Sequence, residues 1–212
     1  MPSAESQLPS ATPAEITALA NEVLSSKTNL NLITKLLALA ASSELKISFA
    51  ATSALEQVFL HFLANNDIQV QTPRFGANFI MDEASASGKV SIWLKHRYTA
   101  FQSYCLHLLS SSSEPSLRIP ALDTLFVFLK QTSKIFRQIV PKDVSTFPTD
   151  DYYSIIRALV DTKTYYDAVH KHMLDKYLNV YADLKLEFWN AIHAFKSSVN
   201  VDSCHKLLFT II

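Results

Sequence analysis

Apolar residues recur at steps of three and four along most of this chain, the spacing of one face of an α-helix. The clearest case is the stretch 89–109. There Leu94, Tyr98, Phe101, Cys105 and Leu108 fall on one face, and Trp93, Arg97, Ala100 and Tyr104 form the neighbouring stripe. Arg97 lies one turn from Trp93 and one from Phe101, within reach of stacking on a ring. Lys95, His96 and Arg97 are consecutive and point about 100° apart, so they cannot form a single patch. This spacing predicts Trp93 as a packing anchor, Arg97 as partly buried and Lys95 in solvent.

The same period marks further helices. Thr12-Pro13-Ala14-Glu15 reads as a capping box with Pro at the first helical position, opening a helix to about Ser25. Thr28 or Asn29 is expected to cap a second, Leu30–Ala41, and Ser43 a third, Glu44–Ala64. Leu32, Ile33, Leu36, Leu37 and Leu39 form the core of the second. Leu45, Phe49, Thr52, Leu55, Phe59, Phe62 and Leu63 form the stripe of the third. Asn65-Asn66-Asp67 ends it. From there to Lys89 the helical period fails: Ile68-Gln69-Val70-Gln71 alternates like a short strand, and Ala84–Gly88 reads as loop. After a linker at 110–113, Glu114-Pro115 opens a fifth helix with Ile119, Leu122, Leu125, Phe126 and Leu129 on its core side. Pro120 is expected in or near its first turn, with 130–140 as an extension or a separate helix. Thr149-Asp150-Asp151 begins a sixth, its carboxylates at the positive end of the dipole. Helices over 164–181 and 183–198 follow, and another starts at Val201.

The fold class expected is all-α: a HEAT/armadillo-like α-solenoid of about eight helices in antiparallel pairs, with a long loop near residues 65–89. An irregular helical bundle is the alternative. Leu45-Lys46-Ile47 and Leu117-Arg118-Ile119, each with a Thr seven residues after the Leu, hint at an internal repeat. Residues 1–11 are expected to be disordered and 12–212 to form one helical-repeat domain. Leu207, Leu208, Phe209, Ile211 and Ile212 are expected to leave an apolar end where a solenoid carries a polar cap, as in a chain truncated there.

Composition narrows the chemistry. Two glycines in 212 residues disfavour turn-rich β folds and glycine-rich phosphate loops. Lys+Arg and Asp+Glu balance at 19 each, so no global charge draws the chain to nucleic acid or membrane. Cys105 and Cys204 lack metal-ligand spacing, which suits a reducing compartment. Residues 1–14 lack the basic start and apolar run of a secretory signal, and no apolar run approaches a membrane span. His170 and His172, two apart, face different ways on a helix, and the other histidines stand singly, so no metal site is expected. Asp150-Asp151 reads as a dipole partner of its helix. No nucleophile motif or nucleotide fingerprint is present, and neither catalysis nor a cofactor is expected. Tyr152-Tyr153, Tyr165-Tyr166, Tyr177 and Tyr181 are expected to pack between helices with hydroxyls at the rim.

Residues Lys89-Val90-Ser91-Ile92-Trp93-Leu94-Lys95-His96-Arg97-Tyr98 resemble a segment in the N-terminal half of the nucleolar complex protein 4 family, a CCAAT-binding-factor-related group of ribosome assembly factors. The preceding Leu36–Leu39 and Lys46–Leu63 stretches are similar as well. Asp150–Tyr153 and Tyr181–Lys185 are more loosely so. The resemblance implies a non-catalytic scaffold in small (40S) ribosomal subunit biogenesis and pre-rRNA processing in the nucleolus. It implies a nucleolar-protein-14-type partner and the pre-ribosomal particle, with direct RNA contact left open. Trp93, Leu94, Lys95, His96, Arg97 and Tyr98 are its signature and the candidate partner or structural segment. The alternative reading is a HEAT-type adaptor binding peptide segments outside ribosome assembly, with no membrane or small-molecule partner in either case.

Overall fold

The computed structural model describes residues 11–70, 85–111, 114–142, 144–161 and 167–195. Every regular element among them is helical: α1 (Pro13–Ser25), α2 (Leu32–Ala40), α3 (Leu45–Ala64), α4 (Ala86–Ser111), α5 (Pro115–Ile139), α6 (Thr149–Val160), α7 (Asp167–Met173) and α8 (Ala182–Phe195). The all-α expectation holds. These residues group into two compact units, 11–69 with 85–101, and 70 with 102–195.

In the first unit α1 opens on the expected capping box. Thr12 Oγ1 accepts from the Glu15 N–H at 3.3 Å, and Glu15 Oε2 accepts from the Thr12 N–H at 2.6 Å. Ile16, Ala20 and Val23 form its core face. Ala11, expected in the disordered start, is instead buried; the rest of that expectation lies outside the described residues. The extended backbone of Ser26 breaks the helix, and its hydroxyl caps a 3-10 turn at Lys27–Asn29. The second helix therefore starts two residues later than expected, at Leu32, and neither Thr28 nor Asn29 caps it. Ile33, Leu36 and Leu39 are buried, while Leu32 and Leu37 are half-buried.

Residues 41–44 join α2 to α3, a connection short enough to make the two antiparallel neighbours. Ser48 Oγ donates to the Ala40 carbonyl at 2.6 Å across this corner. Ser43 is not the cap. Glu44 holds that position without a side-chain bond, and the Ser42 hydroxyl accepts from its N–H. Thr52, Leu55, Phe59, Phe62 and Leu63 are buried as expected, but Leu45 and Phe49 are 41% and 52% exposed. Leu63 shares their edge of the helix. Leu63 is buried, and Phe59, one turn before it, packs on Tyr98 and Phe101 of α4, at ring distances of 5.6 and 5.5 Å. By length and composition α3 is apolar enough to cross a membrane, yet over half of it is buried in this unit against α1 and α2.

The end of α3 is a Schellman motif. The Asp67 N–H reaches the Phe62 carbonyl at 2.9 Å and the Asn66 N–H reaches Leu63 at 3.1 Å. Asn66 takes the required left-handed conformation, φ 57°. Ile68 is then buried rather than paired in a strand, and residues 68–70 form no strand. Gln71 lies outside the described residues. The helical chain resumes at Ala86, earlier than the expected Lys89. Ser85 Oγ accepts from the Gly88 N–H at 3.0 Å, so Ser85–Gly88 are the capped first turn of α4, and Ala84 lies outside the described residues.

In the second unit α5 runs unbroken to Ile139, so the 130–140 stretch is an extension. Pro115 takes the first position, and Pro120 lies inside the helix, beyond the first turn. Leu122, Leu125, Phe126 and Leu129 are buried and Ile119 is half-buried. The sixth helix begins at Thr149 as expected. The 164–181 helix is shorter than expected where it is described: α7 ends in a π-helical turn, Leu174–Leu178, before α8 begins. The parts of these helices expected at 164–166 and 196–198, and the apolar end at 201–212, lie outside the described residues.

Candidate functional site

The Trp93–Tyr98 segment sits in the first half of α4, which is tied at Ser91 to the turn that ends α3. Ser91 Oγ donates to the Asp67 carbonyl, and the Asp67 carboxylate pairs with Lys27 Nζ at 2.6 Å. The helix then divides the six residues by direction. Leu94 and Tyr98 enter the core with Phe101. Trp93 and Arg97 remain together at the edge, the guanidinium carbon 5.1 Å from the ring centroid. His96 is exposed and Lys95 is half-buried on a different side, so Lys95 is less solvated than expected. Trp93 itself is half-buried, which makes it a weaker anchor than the spacing suggests. Arg97 is half-buried and stacked as the spacing predicts.

Among the described residues the densest polar cluster lies in the second unit, and it was not singled out by the sequence. Asp123 of α5 receives three donors from α7 and the π turn. His172 Nε2 lies 2.8 Å from Oδ1, the Tyr177 hydroxyl donates to Oδ1 at 2.6 Å, and Lys176 Nζ is 2.9 Å from Oδ2. The π turn brings Lys176 and Tyr177 to this point, and Tyr177 stacks on Phe126 with centroids 3.7 Å apart. Burial raises the Asp123 carboxyl, but the bonds from Lys176, Tyr177 and His172 outweigh it and hold the pKa below its ordinary value. A carboxylate so engaged is a clamp between helices and a poor base. The only sequence signal was a lone Asp on an apolar helix face, with partners 49 and 54 residues away.

The remaining titratable groups also serve packing. His170 is buried, and desolvation pulls its pKa to about 4 against a hydrogen bond to the Leu159 backbone, so the ring is neutral. As predicted, it points away from His172. Asp151 is raised by burial and by its neighbour Asp150 in the first turn of α6. Tyr152 is buried and donates to the Leu184 carbonyl at 2.8 Å, inside the unit rather than at the rim. Tyr153 packs edge-on against Phe195, Tyr181 is exposed, and Tyr165-Tyr166 lie outside the described residues. Among the described residues no three of His, Cys, Asp and Glu are grouped to hold a metal.

Apolar surface remains open on both units. Leu45 and Phe49 face outward on α3. On α8 Leu186 is 62% exposed and Trp189 41%, on the side opposite Leu184, Phe188 and Ala191. Such faces on stacked helices are where other protein segments bind.

No curated protein and no solved structure matches this chain. A family described as "Nucleolar complex protein 4-like, TPR repeats" does match, over residues 5–200. The match covers both compact units and the whole Trp93–Tyr98 segment. It identifies the helical pairs as repeats of an α-solenoid, in agreement with the helices described above. The family's name points to protein assemblies of the nucleolus, and a TPR-repeat fold is typically a scaffold. The chain belongs to the nucleolar complex protein 4-like family.

Proposed function

We propose that this chain is a non-catalytic scaffold in small (40S) ribosomal subunit biogenesis and pre-rRNA processing, acting in the nucleolus. The family match across residues 5–200 carries this reading. The fold supports it: stacked helical pairs offer extended surfaces for protein segments, and here apolar side chains stay open on α3 and α8. The clustered polar groups are engaged in packing, as a scaffold needs. The partner expected is a nucleolar-protein-14-type assembly factor within the pre-ribosomal particle.

Affinity purification of the tagged chain from nuclear extract tests the proposal. It should recover that partner with precursors of the small-subunit rRNA, and imaging should place the chain in nucleoli. Recovery of large-subunit precursors alone, or of cytosolic proteins without pre-rRNA, would refute it.

A further inference from the structure

We propose that the outward stripe of α4 in the first unit, formed by Lys89, Trp93, Arg97 and Ala100, binds an acidic protein segment carrying an apolar anchor. These positions follow one another at steps of three and four, so they share a side of the helix. That side lies away from Leu94, Tyr98 and Phe101, which are buried. The inference rests on the scaffold reading and adds the chemistry of one partner.

Charge points to the occupant. Across its 26 residues α4 holds Lys89, Lys95 and Arg97 and not one Asp or Glu. Among the described residues none of the three cations is ion-paired. The ionic bonds of this unit lie elsewhere, as with Lys27 and Asp67. Lys89 is exposed, and the Arg97 fork is ordered by stacking on Trp93. Its Nε is buried with no hydrogen-bond partner, and the rest of the half-buried guanidinium can offer N–H groups to a carboxylate. The half-buried Trp93 ring, the exposed Val90 and the small Ala100 provide an apolar floor beside these cations.

The same features argue against nucleic acid as the occupant. Binding a polyanion scales with the number of phosphates neutralised and needs a broad positive field. In the described residues of this unit six lysines and arginines stand against five carboxylates, so the positive potential is confined to one helix. A short acidic segment with a Leu or Phe for Trp93 fits that scale.

The test uses the full chain and a fluorescein-labelled synthetic peptide alternating Glu with Leu and Phe, read by fluorescence polarisation. A Gln-for-Glu version and a labelled oligouridylate serve as comparison probes. The acidic peptide should bind and the Gln version should not. Lys89→Glu, at an exposed position, should weaken binding about tenfold, and Arg97→Ala should do the same. Lys95→Ala, on another side of the helix, should leave it unchanged. In a Trp189→Phe background the emission of Trp93 should shift on binding. A melting curve for each variant separates lost binding from lost fold, and Lys89→Glu keeps the test sound should Arg97→Ala unfold. Absence of peptide binding, equal binding of the Gln version, or equal weakening by Lys95→Ala would overturn the proposal. So would tighter binding of oligouridylate through the same residues. None of these results depends on co-purification from extract, which tests the scaffold reading by itself.

Discussion

Replacing Asp123 by Asn should loosen the second unit by removing one charge at the meeting point of three donors. Asn keeps the oxygen that accepts from His172 and Tyr177, at 2.8 and 2.6 Å, but as a neutral acceptor. Its amide donor then faces the Lys176 ammonium, which lies 2.9 Å from the second carboxylate oxygen in the native protein. Hydrogen bonds to a charged group are worth roughly 1.5–3 kcal/mol and neutral ones roughly 0.5–1.5. The Lys176 contact is half-exposed and screened, so it adds little. The expected cost is about 2 kcal/mol, a fall of about 4–8 °C in melting temperature for a chain of this size. Thermal melts in a Trp93→Phe background read this unit through Trp189. Asp161→Asn is the control: its partner Arg157 is at 3.5 Å and both side chains are about half-exposed, so it should cost under about 0.5 kcal/mol.

The Asp123 effect also has a pH signature. The folded pKa lies below the unfolded one, near 3.8, so the stability it brings is full above that value. It is lost as pH falls through the lowered folded value. The gap between native protein and Asp123→Asn should therefore close in strong acid. Identical melting at neutral pH, or a gap unchanged in acid, would refute the clamp.

Desolvation lowers His170 from 6.5 to about 4, so the unfolded chain binds its proton first on acidification. Stability should fall as pH drops from about 6.5 toward 4, and an NMR titration showing this ring protonating near 6.5 would contradict its burial. Asn66→Gly should hold or raise stability, whereas Asn66→Val should lower it by about 1–2 kcal/mol in urea denaturation, since φ is 57°. Trp93→Ala should cost about 1–3 kcal/mol, below the roughly 3–5 of a fully buried large aromatic, because the ring is half-exposed. A denaturation midpoint shift matching full burial would show tighter packing of that ring.

Local chemistry was enough for much of this fold. The capping box at Thr12, the end of α3 at Asn65-Asn66, the start of α6 at Thr149 and the buried face of α4 depend on nearest neighbours and on the 3.6-residue period, both present in the chain itself. The Trp93–Arg97 stack was legible for the same reason, since its members are one turn apart. The failures come where the outcome depends on something distant. Leu45 and Phe49 carry the same apolar signal as Leu63, but Leu63 is buried and they are not. Ser85 and Gly88 looked like loop because small residues carry little periodicity, and the helix through them is secured by a cap. Asp123 was unremarked because its meaning lies in His172 of α7 and in Lys176 and Tyr177 of the π turn, about fifty residues along the chain. Periodicity determines that a helix forms and which faces it can offer. Which face is covered, and which lone carboxylate becomes a clamp, is decided only when the other helices arrive.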